Sequence, residues 1–206
     1  MLIINERLAE LVGIILGDGS ISEYVSSYGT HRRLQITFNS TQEPYIAYVR
    51  SLIEEVLLIR PLYKKRQKQK TADLHVFRKA VIEQLLLLGM QTSPKWQRAV
   101  VPRHFMNKEF GAYVLKGYFD TDGSVVITNN NGTRYPRLEM KISPSPMQKQ
   151  LLHLLDLFGF RYKAYAIGKG KVRVQMNGLA SLKKWNDQIG FSNEYYQQRC
   201  DSFFLD

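Results

Sequence analysis

The chain has 206 residues, of which 44% are hydrophobic, enough to bury the core of one large domain or two small ones. Its 29 Lys and Arg outnumber its 18 Asp and Glu, and the net charge of +11 suits a polyanion such as nucleic acid, although excess lysine also serves solubility. The single cysteine, Cys200, excludes an internal disulfide and a cysteine-based zinc site. No apolar run approaches the ~20 residues of a membrane-spanning helix.

The N-terminal residues lack the pattern of a secretory signal, so we expect an intracellular protein without membrane contact, in the cytoplasm, the nucleoid or an organelle matrix.

The first predicted element is a helix that ends at an aspartate. Apolar residues recur at helical spacing at Leu8, Leu11, Val12, Ile15 and Leu16. The run stops at Gly17, Asp18 and Gly19, which break a helix. The sequence therefore places Asp18 at a helix C-terminus.

Two hairpins and two further helices follow in the first half. Residues 21–25 and 33–39 read as a hairpin whose second strand alternates polar and apolar residues. Pro44 suits the first turn of a helix through Leu57, residues 62–70 and 73–77 form a second hairpin, and an apolar helix ends near Gly89. Next, Ser93 and Pro94 resemble the start of a short helix that Pro102 ends.

The second half of the chain repeats the first at an offset of 104 residues. LVGIILGDGS at 11–20 aligns with LKGYFDTDGS at 115–124, and the same offset pairs Arg33 with Arg137 and Phe38 with Ile142. A helix at 114–119 is followed by a hairpin through residue 142, a helix at 147–158, a hairpin at 161–176 and a helix around 179–189. We predict an α+β fold of two αββαββα halves with four-stranded antiparallel sheets, residues 1–92 and 108–206, joined by a linker at 93–107.

Both repeat copies resemble the signature of the LAGLIDADG homing endonucleases, and the resemblance covers essentially the whole chain. The first copy has Leu16 and Gly17 where the name has Asp and Ala, and the second has Lys116 and Thr121 in place of Ala, but the last aspartate is kept in both, as Asp18 and Asp122. The resemblance implies a monomeric DNA endonuclease that uses Mg²⁺ or Mn²⁺. Its metal sites would involve Asp18, Asp122, Gly17 and Thr121.

The residues of the two motifs also have a physical explanation that does not depend on the resemblance. Gly13 and Gly17 lie on one helical face, as do Gly117 and Thr121, so two helix backbones can approach closely there. Paired helices bring both aspartates together, and their repulsion should raise one pKa or recruit a divalent cation with oxygen ligands. Taken singly, each motif could be a plain Asx turn. An EF-hand fails because, with Asp120 counted as the first position, Gly123 is fourth instead of sixth and Asn131 stands where the bidentate Glu belongs.

Two further catalytic candidates follow from the resemblance. Gln42 resembles the family's water-positioning glutamine, and the repeat offset puts Pro146 at its counterpart. Lys95 resembles the basic residue near the family's active site, where the other half offers Tyr196, although it could equally be a solvated lysine. This asymmetry predicts that the two DNA strands are cut at unequal rates.

The polar strand residues are the predicted DNA contacts, because four hairpins would form a saddle and a two-stranded ribbon fits the major groove. Any single one could be ordinary surface, so the prediction rests on the set. In the first half they are Ser22, Tyr24, Arg33, Gln35, Thr37, Asn39, Lys64, Arg66 and His75. In the second half they are Thr128, Arg137, Glu139, Lys141, Ser143, Arg161, Lys163, Lys171, Arg173 and Gln175.

Because the two sets differ, the expected partner is double-stranded DNA with a long, asymmetric site, bound by a monomer. The runner-up is an RNA maturase of the same fold, whose partner would be intron RNA, and a third possibility is a DNA-binding protein that does not cut. The family also includes members embedded in inteins, but no splicing Cys or Ser opens this chain and no His-Asn pair closes it, so we expect a free-standing, intron-encoded protein.

Overall fold

A computed structural model of the chain describes residues 2–204. The elements of the first half are α1 (Glu6–Gly17), β1 (Gly19–Ser26), β2 (Gly29–Asn39), α2 (Glu43–Leu57), β3 (Leu62–Arg66), β4 (Thr71–Val76) and α3 (Lys79–Leu88). Those of the second half are α4 (Lys108–Asp122), β5 (Gly123–Asn130), β6 (Thr133–Ile142), α5 (Met147–Leu157), β7 (Lys163–Ala166), β8 (Val172–Asn177), α6 (Leu179–Gln188) and α7 (Glu194–Asp201). The predicted order of helices and hairpins is confirmed within each half. Helix α7 was not predicted.

Each half contains one four-stranded antiparallel sheet, in the orders β1-β2-β4-β3 and β5-β6-β8-β7. The strand registers follow the sequence repeat, because Gly19 pairs with Ile36 in the first sheet and Gly123 pairs with Met140 in the second. Both pairs are related by the same offset of 104 residues. The repeat therefore extends from the motifs to the backbone pairing of the sheets.

Helices α1 and α4 pack directly against each other, and glycine makes the approach possible. A Cβ atom built on Gly13 would overlap the carbonyl oxygen of Val114, and one built on Gly117 would overlap the carbonyl oxygen of Glu10. No side chain fits at either position without moving backbone. The predicted close approach of the two motif helices is confirmed.

A buried polar network ties the halves together beside this helix pair. Glu10, 1% exposed, accepts hydrogen bonds from Tyr48 Oη at 2.6 Å and Ser192 Oγ at 2.7 Å, and pairs with Lys116 Nζ at 2.9 Å. Asp120 accepts hydrogen bonds from the backbone N–H groups of Ser192 and Asn193, directly before α7. Helix α7 is held by these contacts, which explains why its own weak apolar pattern did not predict it.

The predicted helix after Ser93 is wrong, because residues 93–100 contain only a single turn, at 96–98. The N–H of Ser93 donates to Ile21 O, and the N–H of Gln97 donates to Pro144 O. The N–H of Gln97, which a helix beginning at Ser93 would pair internally, is used here to reach the second half, and the N–H of Ser93 holds the segment to the first. Helix α4 begins earlier than predicted, after Asn107, whose side chain accepts from Phe110 N–H. Within residues 2–204, no helix is long and apolar enough to cross a membrane.

Candidate active site

The two motif aspartates lie where α1 and α4 end. Asp18 is the C-cap residue of α1, and Asp122 is the last residue of α4. A Cβ atom built on Gly17 would lie 3.3 Å from Asp122 Oδ2, so the second carboxylate lies against the backbone beside Asp18. A side chain on Gly17 would also overlap Thr121 Oγ1. Small residues on both helices therefore bring the two carboxylates to one place.

The nearby positive charges do not fully compensate the burial and mutual repulsion of the two carboxylates. Burial and then the charge of Asp18 raise the pKa of Asp122 from 3.8 to about 6, against the opposing effects of Lys95, Tyr118 and Lys171. Burial also raises the pKa of Asp18, with Lys95 acting in the opposite direction. The C-terminal ends of the two helices add negative partial charge. A cation between the carboxylates would relieve this repulsion.

The side chain of Lys95 lies against the end of α1 and is not exposed to solvent in the way that an ordinary surface lysine would be. Its Nζ donates hydrogen bonds to the carbonyl oxygens of Ile15 at 3.0 Å and Leu16 at 2.7 Å, and also to that of Gly17. Burial lowers the pKa of Lys95 from 10.5 to about 8, although the charges of Asp122 and Asp18 oppose the shift. The ammonium group therefore remains mostly protonated at pH 7 and satisfies the last carbonyls of the helix.

The corresponding place in the second half holds a neutral group. Tyr196 Oη donates a hydrogen bond of 2.7 Å to Gly123 O, next to Asp122, and its ring packs edge-on against Phe119. The site thus has a lysine ammonium at the end of α1 and a phenol at the end of α4. Lys95 and Tyr196 are thus each bonded to a backbone carbonyl at the end of one motif helix.

Gln42 and Pro146 occupy equivalent positions, each directly before the second helix of its half. Gln42 lines a groove that also includes Thr41, Asn193 and Tyr195. A separate cavity of about 290 Å³ lies beside Asp122 and includes Lys95. Only one half therefore carries a side chain amide at this position.

The donors at the site are oxygen atoms. Among residues 2–204, no three side chains of His, Cys, Asp or Glu gather into a metal site. The candidate ligands are the two carboxylates and, as the resemblance implies, Gly17 and Thr121 beside them. The Thr121 hydroxyl donates inward, to Gly117 O and Tyr118 O, whereas Gly17 O already accepts from Lys95. Such a sparse set of hard oxygen donors fits Mg²⁺ or Mn²⁺, which complete their shells with water and phosphate oxygens.

The sheets present the predicted DNA contacts on one face each. Leu34, Ile36 and Phe38 of β2 are buried in the core, so the alternate residues of β2 point to the opposite face. The strand registers put polar residues of the neighbouring strands on that same face. The first-sheet residues there are Ser22, Tyr24, Arg33, Gln35, Thr37, Asn39, Lys64, Arg66 and His75.

The second sheet repeats this arrangement. Its polar-face residues are Thr128, Arg137, Glu139, Lys141, Lys163, Arg173 and Gln175. Ser143 and Lys171 lie just beyond strand ends, and Arg161 precedes β7. The Lys171 ammonium lies 5.6 Å from the centre of the Trp96 ring, beside the aspartate cavity.

Sequence reasoning missed two residues of these surfaces. Asp73 lies on the polar face of β4 and is fully buried there. The alternation of Thr71, Asp73 and His75 with apolar residues could have revealed it. Trp96, 40% exposed, lines the cavity beside Asp122, but no periodic pattern marks it because it lies in the turn between the halves.

Comparison with known proteins identifies the second half. Residues 109–190 match the family described as the LAGLIDADG-like domain. The replication factor C small subunit of Methanocaldococcus jannaschii is 25% identical over 195 residues, which make up 92% of this chain and 10% of that protein. An uncharacterized protein of the same organism is 26% identical over 97% of this chain and 23% of its own length. The chain thus spans a small part of both relatives.

Solved structures show the same fold over both halves. A mesophilic variant of the homing endonuclease I-DmoI superposes with a TM-score of 0.64 at 16% identity, covering 89% of this chain and 90% of that one. The LAGLIDADG meganuclease I-AabMI, bound to uncleaved DNA, gives 0.65 at 12% identity, over 94% and 88%. I-DmoI in complex with DNA and Mn gives 0.61 at 17% identity, over 90% and 96%. Residues 109–190 therefore match the LAGLIDADG-like domain, and the chain has the fold of the LAGLIDADG homing endonucleases.

Proposed function

We propose that this protein is a site-specific DNA endonuclease that depends on a divalent metal and makes a double-strand break in a long, asymmetric target. The observation that carries the proposal is the carboxylate pair, Asp18 and Asp122, held together at the ends of two packed helices. The solved relatives I-DmoI and I-AabMI were captured with DNA, and I-DmoI also with Mn. This chain retains both carboxylates and a net charge of +11.

The residues of the site would share the work of phosphodiester hydrolysis. A bound Mg²⁺ or Mn²⁺ would supply a Lewis acid for the scissile phosphate and lower the pKa of the attacking water. Asp18 and Asp122 would hold the ion, with help from the backbone oxygens of Gly17 and Thr121. Lys95, protonated at neutral pH, would offer positive charge to the phosphate. Gln42, which lines a groove separate from the cavity beside Asp122, would turn toward the carboxylates to orient water in the first half.

The polar faces of the two sheets would hold the DNA. A strand of eight residues spans ~27 Å and base pairs stack every ~3.4 Å, so each half could follow about eight base pairs. Since both halves belong to one chain and carry different polar residues, we expect a monomer on a site without two-fold symmetry.

A selection from randomised DNA tests this function. The protein is incubated with a library of randomised inserts in Mg²⁺, in Mn²⁺ and in a chelator, and the cut ends are sequenced. We expect one enriched long site, cut on both strands with metal and intact without it. Failure to enrich any site, together with faster splicing of an intron RNA, would replace this function with that of an RNA maturase.

Replacing Lys95 with methionine should slow the cutting of one DNA strand more than the other. The ammonium group is bonded to the end of α1 and not to the end of α4, and loss of one group that stabilises transition-state charge costs about 10²-fold in rate. Nicked DNA should therefore accumulate. The matched variant Tyr196→Phe removes the hydroxyl at the other helix end and should have a much smaller effect. Strand-resolved kinetics that slow equally for K95M would contradict an asymmetric site.

A further inference from the structure

The polar face of the first sheet is organised around one buried carboxylate. Asp73 is 0% exposed although β4 presents it on the face opposite the core. Its Oδ1 accepts hydrogen bonds from Thr37 Oγ1 at 2.8 Å and Gln35 Nε2 at 3.0 Å, and its Oδ2 forms an ion pair with Arg66 at 2.6 Å. Burial acts to raise the pKa of Asp73, but the bonds from Thr37 and Arg66 outweigh it and lower the pKa. Asp73 is therefore ionised at neutral pH.

The second sheet has a carboxylate in the same role at a different position. Glu139, 8% exposed, accepts a hydrogen bond from Gln175 Nε2 at 2.6 Å and forms an ion pair with Arg137. Arg173 Nε lies 3.8 Å from its other oxygen. Glu139 belongs to β6, whereas Asp73 belongs to β4, so the repeat does not relate the two residues. Each half has acquired its own buried anion beneath arginine and glutamine side chains.

Such an anion fixes side chains that would otherwise be mobile. An arginine side chain loses rotamer entropy when it is held in one direction, and ordering it before DNA arrives removes that cost from binding. Arg66 is tied to Asp73 through one of its nitrogens, which leaves its other donors in a defined direction. Asp73 cannot itself contact a base, because other side chains cover it completely. The buried charge also opposes indiscriminate attraction to phosphates.

We propose that Asp73 and Glu139 are specificity-determining positioning residues, each of which fixes the arginine and glutamine side chains that read DNA in its own half. The inference rests on the proposed function, since it needs a DNA site to be read. It assigns the two halves separate anchors, so loss of one anchor should relax recognition of only one side of the site.

Asp73→Asn and Glu139→Gln test the inference, because they keep the shape of the side chain and remove its charge. Binding to the selected site, to every single-base variant of it and to unrelated DNA is measured in a chelator. We expect D73N to lose about tenfold in discrimination at the base pairs under the first half only, and E139Q under the second half only. Affinity for unrelated DNA should stay the same or rise, with a salt dependence steeper by about one released ion for each arginine set free.

Glu23→Gln is the matched control. It removes the same charge from the first sheet, but Glu23 pairs with Arg32 on β2 outside the Asp73 cluster. This variant should leave discrimination unchanged. Unchanged discrimination in D73N and E139Q, or an equal loss at both sides of the site, would overturn the inference.

Failure of a variant to fold and failure of the proposed function can both be told apart from failure of the inference. If one variant does not fold, the other still decides the matter, because the two carboxylates lie in different sheets. If the unmodified protein discriminates no DNA site at all, the proposed function fails. If it recognises a site that D73N and E139Q recognise equally well, only the role of Asp73 and Glu139 fails.

Discussion

Replacing either Asp18 or Asp122 with asparagine should abolish double-strand cleavage, with a fall in rate of about 10³-fold or more, because an amide neither neutralises a divalent cation nor holds it as tightly. Binding of the DNA site should survive, since neither aspartate belongs to a polar sheet face. Cleavage and binding of the selected site are measured separately for each variant. If D122N still cut both strands at the normal rate, Asp122 would not be a catalytic residue.

Replacing Asp122 with asparagine should also stabilise the metal-free protein. The pKa of Asp122 is about 6 in the folded chain and 3.8 ordinarily, so the folded state binds more protons than the unfolded state between these values. Stability therefore falls as the pH rises from about 4 to 6 and stays at its lower level above that. Asparagine carries no such penalty. At pH 7 we expect D122N to gain about 1–2 kcal/mol, which corresponds to about 2–8 °C in Tm.

Thermal unfolding at pH 4 and pH 7, with and without Mg²⁺, checks this expectation. The gain should be present at pH 7 and nearly absent at pH 4, and Mg²⁺ should raise the Tm of the unmodified protein but not that of D122N. Asp187→Asn is the control, because Asp187 is an exposed residue paired with Lys183. A D122N protein that is less stable at pH 7 would mean that the carboxylate pair is not repulsive.

The fold was largely predictable because the chain repeats itself. Period-two alternation in Arg33 to Asn39 and the helical spacing before Asp18 are local signals, and the second copy repeated them. Helix α7 and the bridge at residues 93–100 were not predictable in this way. Both are held by contacts with distant residues, such as Ser192 with Asp120 and Ser93 with Ile21, which a local pattern does not reveal.

In the candidate site, too, residues marked by a local pattern were predictable, whereas contacts between distant residues were not. Asp18 and Asp122 follow from the motifs, and their proximity follows from the small residues between the helices. The hydrogen bonds of Lys95 to three carbonyls of α1 could not be predicted, because they join residues about 80 positions apart. The alternation around Asp73 could have placed it on the polar face, but the role of its carboxylate depends on Gln35 and Arg66 in neighbouring strands, which a local pattern does not show.

Gly117→Ala should destabilise the protein by about 3 kcal/mol, although alanine is the better helix former by about 1 kcal/mol. A Cβ atom at this position would overlap the carbonyl oxygen of Glu10 and approach the nitrogen of Ile14, and both are backbone atoms of α1. Helices that must separate also move Asp18 away from Asp122. We therefore expect a Tm lower by about 6–12 °C and slower cleavage.

Gly111→Ala provides the control within the same helix. A Cβ atom there would meet the end of the Leu154 side chain, at 2.8 Å from Cδ2, and a leucine side chain can rotate away. The gain in helix propensity should then balance or exceed the cost, so that the Tm changes by about 2 °C or less. Equal losses for G111A and G117A would show that backbone contact between α1 and α4 is not what restricts residue 117. A loss confined to G117A, with cleavage reduced in parallel, ties the approach of the helices to the pairing of the two aspartates.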